Sequence, residues 1–309
     1  MSTISTFPNG SVRMITRSQV PKAPQDLQAV IAVGERSDVV QIAAPRHLYR
    51  PAYLRNVDQG DAELVTQPLA SPTGPGSAAG FRNRDGSQLA RPEVINIYLG
   101  PFWGDRSFLE QFSKAVVEFG YLQPLNELGY GTGSGRYVGA VDGPKLKAGS
   151  VFGDTDARNV ITALISAGTI KANVNSLFML ILPSGVTSRM DGSGAESCST
   201  YCGYYDAFVH AGFEVAYAVM PSPVGCTGCG SGDMGDFTAV YAHELAEAAT
   251  DKVPGRGWVA GDGQENGDLE AWILFGWGPP SDPKRFTVQG YYTIERGNTS
   301  GAWSGPDVL

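Results

Sequence analysis

The stretches VINIYLGPFW, residues 94–103, and SFLEQFSKAVVEFGYL, residues 107–122, decide the fold class. The first is a short continuous apolar run, which is typical of a buried strand. The second repeats apolar residues every three to four positions, as an amphipathic helix does. A buried strand followed by a helix predicts α/β layers.

The same alternation continues along the chain. We expect further buried strands in NSLFMLILPSG (175–185) and FEVAYAVMP (213–221), and a terminal strand in RFTVQGYYTI (285–294). Helices are expected in DTDARNVITALISAGTI (154–170), with Asp and Thr caps, and in DFTAVYAHELAEAATD (236–251), capped by Asp236 and ending before Pro254. GYGTGSGRYVGAV (129–141) is expected to be a loop that leads into a strand. The prediction is an α/β (α+β) fold in which helices pack on a mixed sheet.

Residues 1–92 are predicted to be an N-terminal appendage, and residues 93–309 the main domain. AVIAVGERSDVVQIAA (29–44) indicates one or two strands, and residues 66–92 form a linker rich in Pro, Gly and Ser. Two interpretations stay open. The appendage is either a strand pair packed on the main domain, or a pro-segment or lid.

Composition excludes some classes of function. The chain has 309 residues, of which 42% are hydrophobic, and a formal charge of −8. No cluster of Lys and Arg interleaves with aromatic residues, so we expect no nucleic-acid partner. No apolar run approaches the ~20 residues that cross a membrane, and the N-terminus lacks the order of a signal peptide, so we expect no membrane insertion.

All four cysteines lie in SCSTYC (197–202) and GCTGC (225–229). They fit either two local disulfides, which suit a secreted protein, or one structural zinc site. We favour disulfides, because the apolar stretch between the two pairs indicates a strand rather than a zinc-finger loop.

VYAHELAEAATD, residues 240–251, carries the chemistry. Residues four apart share one face of a helix, so His243 and Glu247 are candidate ligands of a zinc ion. Glu244 projects in another direction and is the candidate general base that takes a proton from water. The alternative is a solvated helix that happens to contain His-Glu.

A third ligand is expected from GWVAGDGQENGDLEAW, residues 257–272, because its acidic residues return at a useful distance. Glu265 and Asp268 are the preferred pair, one as ligand and one as the residue that orients His243. The weaker candidates are Asp251, Asp262 and Glu270.

Several stretches together resemble the phosphate-induced protein 1, or Exordium-like, family of secreted proteins. They are NIYLGPFW, GYGTGSGRYVG, NSLFMLILPSGV, YCGYYDAF, AHELAEAATD and ENGDLE, and the resemblance covers roughly residues 93–300. It implies an extracellular protein with a zincin-like helix.

The chain departs from that family pattern at two positions. Tyr205 stands where relatives tend to have a histidine, and Lys252 where they tend to have a proline. If that histidine is a ligand in relatives, Tyr205 or His210 takes its place here; otherwise Tyr205 is a packed aromatic with a bonded hydroxyl. His210 is predicted to be a capping or surface residue at a helix end, and His47 an ordinary surface or packing residue.

Two hypotheses follow. The first is a zinc-dependent hydrolase, most simply a metallopeptidase acting on a peptide or protein, with His243, Glu247 and Glu265 or Asp268 as ligands. Glu244 and Tyr205 are its candidate catalytic residues. The second is an extracellular binding or signalling protein in which the helix is structural or holds a metal only for stability.

Overall fold

The computed structural model describes residues 81–191, 194–226, 228–261, 263–271, 274–278, 285–292 and 302–303. The predicted strands in 29–44, most of the predicted linker, His47 and Asp262 lie outside these residues. The predictions made for them are therefore left as predictions.

A five-stranded mixed sheet forms the centre of the fold, which confirms the predicted α/β class. Its order is β3-β2-β5-β8-β7, with bounds β2 Glu93–Tyr98, β3 Arg136–Asp142, β5 Ser176–Ile181, β7 Tyr204–His210 and β8 Phe213–Met220. Strands β3, β2, β5 and β8 are parallel, whereas the edge strand β7 runs antiparallel to β8.

Helices cover both faces of this sheet. Their bounds are α1 Arg106–Glu118, α2 Gln123–Glu127, α3 Asp154–Ser166, α4 Met234–Thr250 and α5 Asn266–Leu269. Side chains alternate along each strand, so Leu177 and Met179 of β5 share a core with α1 and α4, while Phe178 and Leu180 share one with α3. Within the part of the chain that is described, no helix is long and apolar enough to cross a membrane.

Short strand pairs surround the main sheet. They are β1 (Arg82–Asn83) with β9 (Trp258–Val259), β4 (Val151–Phe152) with β6 (Thr187–Ser188), β10 (Leu274–Trp277) with β11 (Phe286–Gln289), and β12 (Tyr291–Tyr292) with β13 (Ala302–Trp303). The described residues before position 93 pack on the same core, because Phe81 and Leu89 are buried in it. The Leu89 N–H donates to the Ala249 carbonyl at the end of α4, 3.0 Å away.

Three local predictions are wrong. The cap of α4 is Asp233, whose carboxylate accepts from the Asp236 N–H at 2.9 Å; Asp236 instead accepts from the N–H groups of the preceding loop. The cap of α3 is Gly153, whose N–H donates to Asp156 Oδ2 at 2.9 Å. His210 ends strand β7 at a two-residue hairpin turn rather than a helix.

The four cysteines form two disulfides, as favoured from the sequence, but the bridges are not local as expected. Cys198 is bonded to Cys226 and Cys202 to Cys229, so each bridge crosses between the two cysteine clusters. The segment before β7 is thereby fixed to the loop that leads into α4.

Candidate metal centre

Helix α4 is central because its sequence is mostly alanine and other apolar residues, which favour a helix and allow close packing. Every residue from Asp236 to Thr250 is buried. Tyr241 fixes the helix to the sheet, since its hydroxyl donates to Asn96 Oδ1 of β2 at 2.8 Å. The polar residues of α4 are therefore buried as well, and the solvated-helix alternative is wrong.

His243 and Glu247 lie one turn apart on the same face of α4. His243 Nε2 and Glu247 Oε1 are 2.9 Å apart. Nε2 nevertheless makes no hydrogen bond to any described residue, so its direction does not point at this oxygen. The two atoms thus converge on a shared space, as two ligands of one ion do.

Asp268 comes to this face on the short helix α5. The Asp268 N–H donates to Glu247 Oε1 at 3.1 Å, which joins α5 to α4. Gly267 permits the approach, because a Cβ there would lie 2.9 Å from Glu247 Oε1 and 3.0 Å from His243 Nδ1. Donor atoms of His243, Glu247 and Asp268 all lie within 4.8 Å of one another, so these three buried residues could hold a metal ion.

Glu244 points to the start of β7. A Cβ on Gly203 would lie 3.0 Å from Glu244 Oε1, so glycine leaves the space that the carboxyl group occupies. The side chain is fully buried, and neither of its oxygens has a hydrogen-bond partner among the described residues. Burying a polar group without hydrogen bonds lowers the stability of the fold. Such groups are rare in folded proteins and call for an explanation, which makes Glu244 a candidate catalytic residue.

Glu265 and Tyr205 lie behind the metal-binding group. The Tyr205 hydroxyl donates to Glu265 Oε1 at 2.5 Å, and both side chains are buried. The Glu265 carboxyl group also lies close to those of Glu247 and Asp251, with which it can share a retained proton. Of the two acids predicted as the third ligand, Asp268 belongs to the group that could hold a metal ion, and Glu265 lies beside Glu247 of that group.

Asp251 has a structural role at the end of α4. It accepts hydrogen bonds from the backbone N–H groups of Gly255 at 2.6 Å, Arg256 at 3.0 Å and Gly257 at 2.5 Å. These bonds hold the turn that leads to β9. The other two positions singled out by the sequence also lie apart from the ligand group: Lys252 donates to the Val174 carbonyl at 2.9 Å, and Glu270 is buried on the far end of α5.

The site concentrates acidic groups in the protein interior. Glu244, Glu247, Asp251 and Glu265 are each at most 1% exposed. None of the four forms an ion pair with a lysine or arginine of the described residues, and His243 is the one cationic candidate within reach. Such a group is stable only with bound protons or with a cation.

Burial raises the pKa of each of these acids. For Glu244, burial is the largest cause, the negative charges of Glu247 and Asp268 raise the pKa further, and His243 lowers it. Burial also raises the pKa of Glu247, which the Asp268 N–H opposes, and of Glu265, which nearby Glu247 and Asp251 reinforce. Glu244 is thus electrostatically part of the site. Without a metal, the Glu244 carboxyl group keeps its proton at a pH where an exposed glutamate has lost it.

Two site residues could not be identified by motif. Gln289, at the end of β11, lies with its amide nitrogen 2.6 Å from His243 Nδ1, and Gly267 provides the close approach described above. For Gln289, the available signal was a polar side chain next to Val288 in an otherwise apolar strand. For Gly267, the signal was its place between two candidate ligands.

Comparison with known proteins gives no further identification. No protein-family model, no curated protein and no solved structure matches the chain. The resemblance to the Exordium-like family therefore stays a prediction.

Proposed function

We propose that the protein is a zinc-dependent hydrolase, with a peptide or protein as substrate. One observation carries this proposal: Glu244 is fully buried, and neither of its carboxyl oxygens has a hydrogen-bond partner in the described part of the chain, beside three residues that could hold a metal ion. A group built only for stability does not need an unpaired acid next to it. A hydrolase needs such a group to move a proton.

The donor set fits zinc. One imidazole nitrogen and two carboxylates, from His243, Glu247 and Asp268, belong to the nitrogen and oxygen ligands that zinc accepts, and three protein ligands are typical of a catalytic site. A bound zinc ion would polarise a carbonyl group and lower the pKa of water. The predicted zincin-like arrangement, with two of the ligands on one helix beside a mixed sheet, agrees with this proposal.

Glu244 would act as the proton carrier. Its carboxylate, once ionised by the positive charge of a bound ion, accepts a proton from the attacking water and then gives it to the leaving amine. The residue is not needed to hold the metal, because the ligand group is complete without it. In this proposal His243, Glu247 and Asp268 hold the metal, and Glu244 transfers the proton.

Glu265 and Tyr205 would support the ligand Glu247. Glu265 accepts from the Tyr205 hydroxyl and lies close to Glu247, so it would limit the directions open to the ligand carboxylate. In this role Tyr205 acts through Glu265.

A second candidate function has one observation in its favour. His243, Glu247 and Asp268 are 0%, 1% and 3% exposed, as a closed structural metal site would be. In that case the protein is a binding or signalling protein, and the ion contributes to folding. The two disulfides and the family resemblance favour an extracellular location under either proposal.

The test is zinc content and peptide hydrolysis measured on the same samples. Wild type, His243→Ala, Glu244→Gln and the surface control Glu127→Gln are purified without added metal and analysed for zinc. Each is then incubated with a mixture of peptides, and new termini are identified by mass spectrometry. We expect about one zinc per chain and hydrolysis in wild type and Glu127→Gln.

The zinc content and the hydrolysis of Glu244→Gln decide between a hydrolase and a structural metal site. The hydrolase requires that Glu244→Gln keeps its zinc and loses hydrolysis, while His243→Ala loses both. Hydrolysis that persists in Glu244→Gln refutes the mechanism. Zinc in wild type without cleavage of any peptide supports the structural site.

A further inference from the structure

Residues 81–89 form a strap beside the segment of chain that leads to Asp268. Both ends of the strap are anchored, because Phe81 and Leu89 are buried in the main core. The Phe81 ring stacks on that of Trp258, with 6.1 Å between the ring centroids. The strap is therefore fixed by packing at its start and at its end.

Strand β9 joins the strap to the metal-binding segment. Strand β1 of the strap pairs with β9, so that Arg82 lies opposite Val259. Val259 also pairs with Glu265, on the other side of β9. Glu265 is the N-cap of α5, the helix that carries Asp268. The strap, β9 and the start of α5 thus lie side by side, and the position of the strap limits the position of α5.

Hydrogen bonds fasten the strap on both sides of β9. The Arg84 N–H donates to the Gly257 carbonyl, and Arg84 Nη2 donates to the Ala260 carbonyl, each at 2.9 Å. Further along the strap, the Ser87 carbonyl accepts from the Lys252 N–H at 3.1 Å. Displacing the strap would therefore release the chain from the end of α4 to the beginning of α5.

A substrate can reach the metal-binding group only if part of the structure moves, because His243, Glu247 and Asp268 are buried. Helix α4, which carries the first two, is buried along most of its length and is bonded to the central sheet through Tyr241. Helix α5 has four residues and carries Asp268. Of these two elements, α5 is the one that can move away at the lower cost.

The first residue of α5 favours the same movement. Asn266 is completely buried, and neither its amide nitrogen nor its amide oxygen has a hydrogen-bond partner among the described residues. Burying both groups unpaired lowers the stability of the closed arrangement. If α5 moves toward solvent, water or a substrate can pair with this amide. Contacts elsewhere must therefore hold α5 in place, and the strap provides some of them.

We propose that the strap is a latch: through β9 it holds α5 against α4 and keeps the metal centre closed, and its release opens the centre. The inference rests on the proposed function, because it concerns access to the same centre. The strap is joined to the metal-binding group through β9 and α5, so its residues are positioning residues and not catalytic ones.

Hydrogen exchange of the metal-free protein, read by mass spectrometry, tests the latch without requiring an ion. Phe81→Ala removes the ring that anchors the strap, and Arg84→Met removes the bond to the Ala260 carbonyl while keeping a long side chain. Phe152→Ala is the matched control, because it removes a buried ring from the core on the other face of the sheet. The second measurement is the rate at which zinc passes from each loaded protein to an excess of chelator.

We expect residues 257–269 to exchange faster in Phe81→Ala and Arg84→Met than in wild type, while α1 and β5 exchange as in wild type. Zinc release should be about tenfold faster in Phe81→Ala, because a lost buried ring weakens the latch and the ion leaves through the open form. The effect of Arg84→Met should be smaller, since one hydrogen bond is lost. Phe152→Ala should lower the Tm and leave both readouts as in wild type.

Several outcomes would overturn the latch. Unchanged exchange of residues 257–269 in both strap variants would do so, and so would the same local increase in Phe152→Ala. If Phe81→Ala does not fold, the exchange of Arg84→Met decides. A wild-type chain without zinc would refute the metal centre and the proposed function, and the exchange pattern would still decide whether the strap holds α5. Local opening and bound zinc without cleavage of any peptide would support the latch and refute the hydrolase.

Discussion

Replacing Glu244 with glutamine should make the metal-free protein more stable, and increasingly so as the pH rises. Burial holds the pKa of Glu244 well above its ordinary value of 4.5, so the folded chain keeps this proton where the unfolded chain has released it. The group therefore contributes full stability below pH 4.5, and this contribution is lost as the pH rises toward the folded pKa. Glutamine has nearly the same shape and does not titrate.

The size of the effect follows from linkage. Each pH unit between the two pKa values lowers the free energy of unfolding by about 1.4 kcal/mol for one retained proton. Between pH 5 and pH 7 the advantage of Glu244→Gln over wild type should thus grow by up to about 2.7 kcal/mol, the limit for one proton that the folded chain retains across the whole window. Glu247, Asp251 and Glu265 are present in both chains, so their contributions largely cancel in the difference.

The assay is urea unfolding at pH 5, 6 and 7 with a chelator present, followed by tryptophan fluorescence. Glu127→Gln, a change of the same chemistry on the exposed surface of α2, is the control and should stay within about 0.5 kcal/mol of wild type at every pH. Oxidised and otherwise identical samples are needed, because the disulfides also affect stability.

Two results would refute the reasoning. An advantage of Glu244→Gln that is the same at pH 5 and pH 7 would mean that Glu244 is ionised in the folded chain. A variant less stable than wild type at all three values would mean that the carboxyl group makes a bond that the glutamine cannot replace. In both cases the unpartnered state of Glu244 would not be its state in solution.

Two further predictions concern the packing around the site. Gly267→Ala should lower the free energy of unfolding by about 1–3 kcal/mol and weaken zinc binding, because its Cβ would lie 2.9 Å from Glu247 Oε1 and 3.0 Å from His243 Nδ1. Calorimetric titration with zinc checks this, and unchanged zinc binding would contradict it. Gly104→Ala is the control, because its Cβ would meet Met234 at 2.5 Å and the Phe102 ring at 3.3 Å, neither of which is a metal-binding candidate. Replacing Cys202 and Cys229 together by alanine should cost about 3 kcal/mol, since the bridge closes a loop with a sequence separation of 27; thermal unfolding measures the loss, and a Tm equal to that of wild type would disprove it.

The main elements could be predicted because their signals are local. The apolar runs predicted β2, β5 and β8, and the apolar periods predicted α1, α3 and α4. Strand β7 was missed because YYDAFVH does not alternate cleanly, and its turn uses Ala211 and Gly212 rather than an Asn-Gly pair. The cap of α4 was misplaced because Asp233 and Asp236 are both good caps, and only the loop conformation distinguishes them.

For the site residues, too, local contacts could be predicted from the sequence and contacts between distant segments could not. Helical spacing alone brings His243 next to Glu247, and this pair was predicted. The choice between Glu265 and Asp268 depends on how α5 packs against α4, which no local pattern contains. Gln289 is 46 residues away from His243 in sequence, so its contact arises only from the tertiary fold.

The arrangement of β7, β8 and the two disulfides also has a consequence for the order of assembly. Four cysteines can pair in three ways. The hairpin of β7 and β8 needs only a two-residue turn, at Ala211 and Gly212, and its open end brings the segment of Cys198 and Cys202 toward that of Cys226 and Cys229. Hairpins form in microseconds, long before thiols are oxidised. The hairpin can therefore hold the two cysteine segments near each other before the distant parallel strands β2 and β3 have joined the sheet.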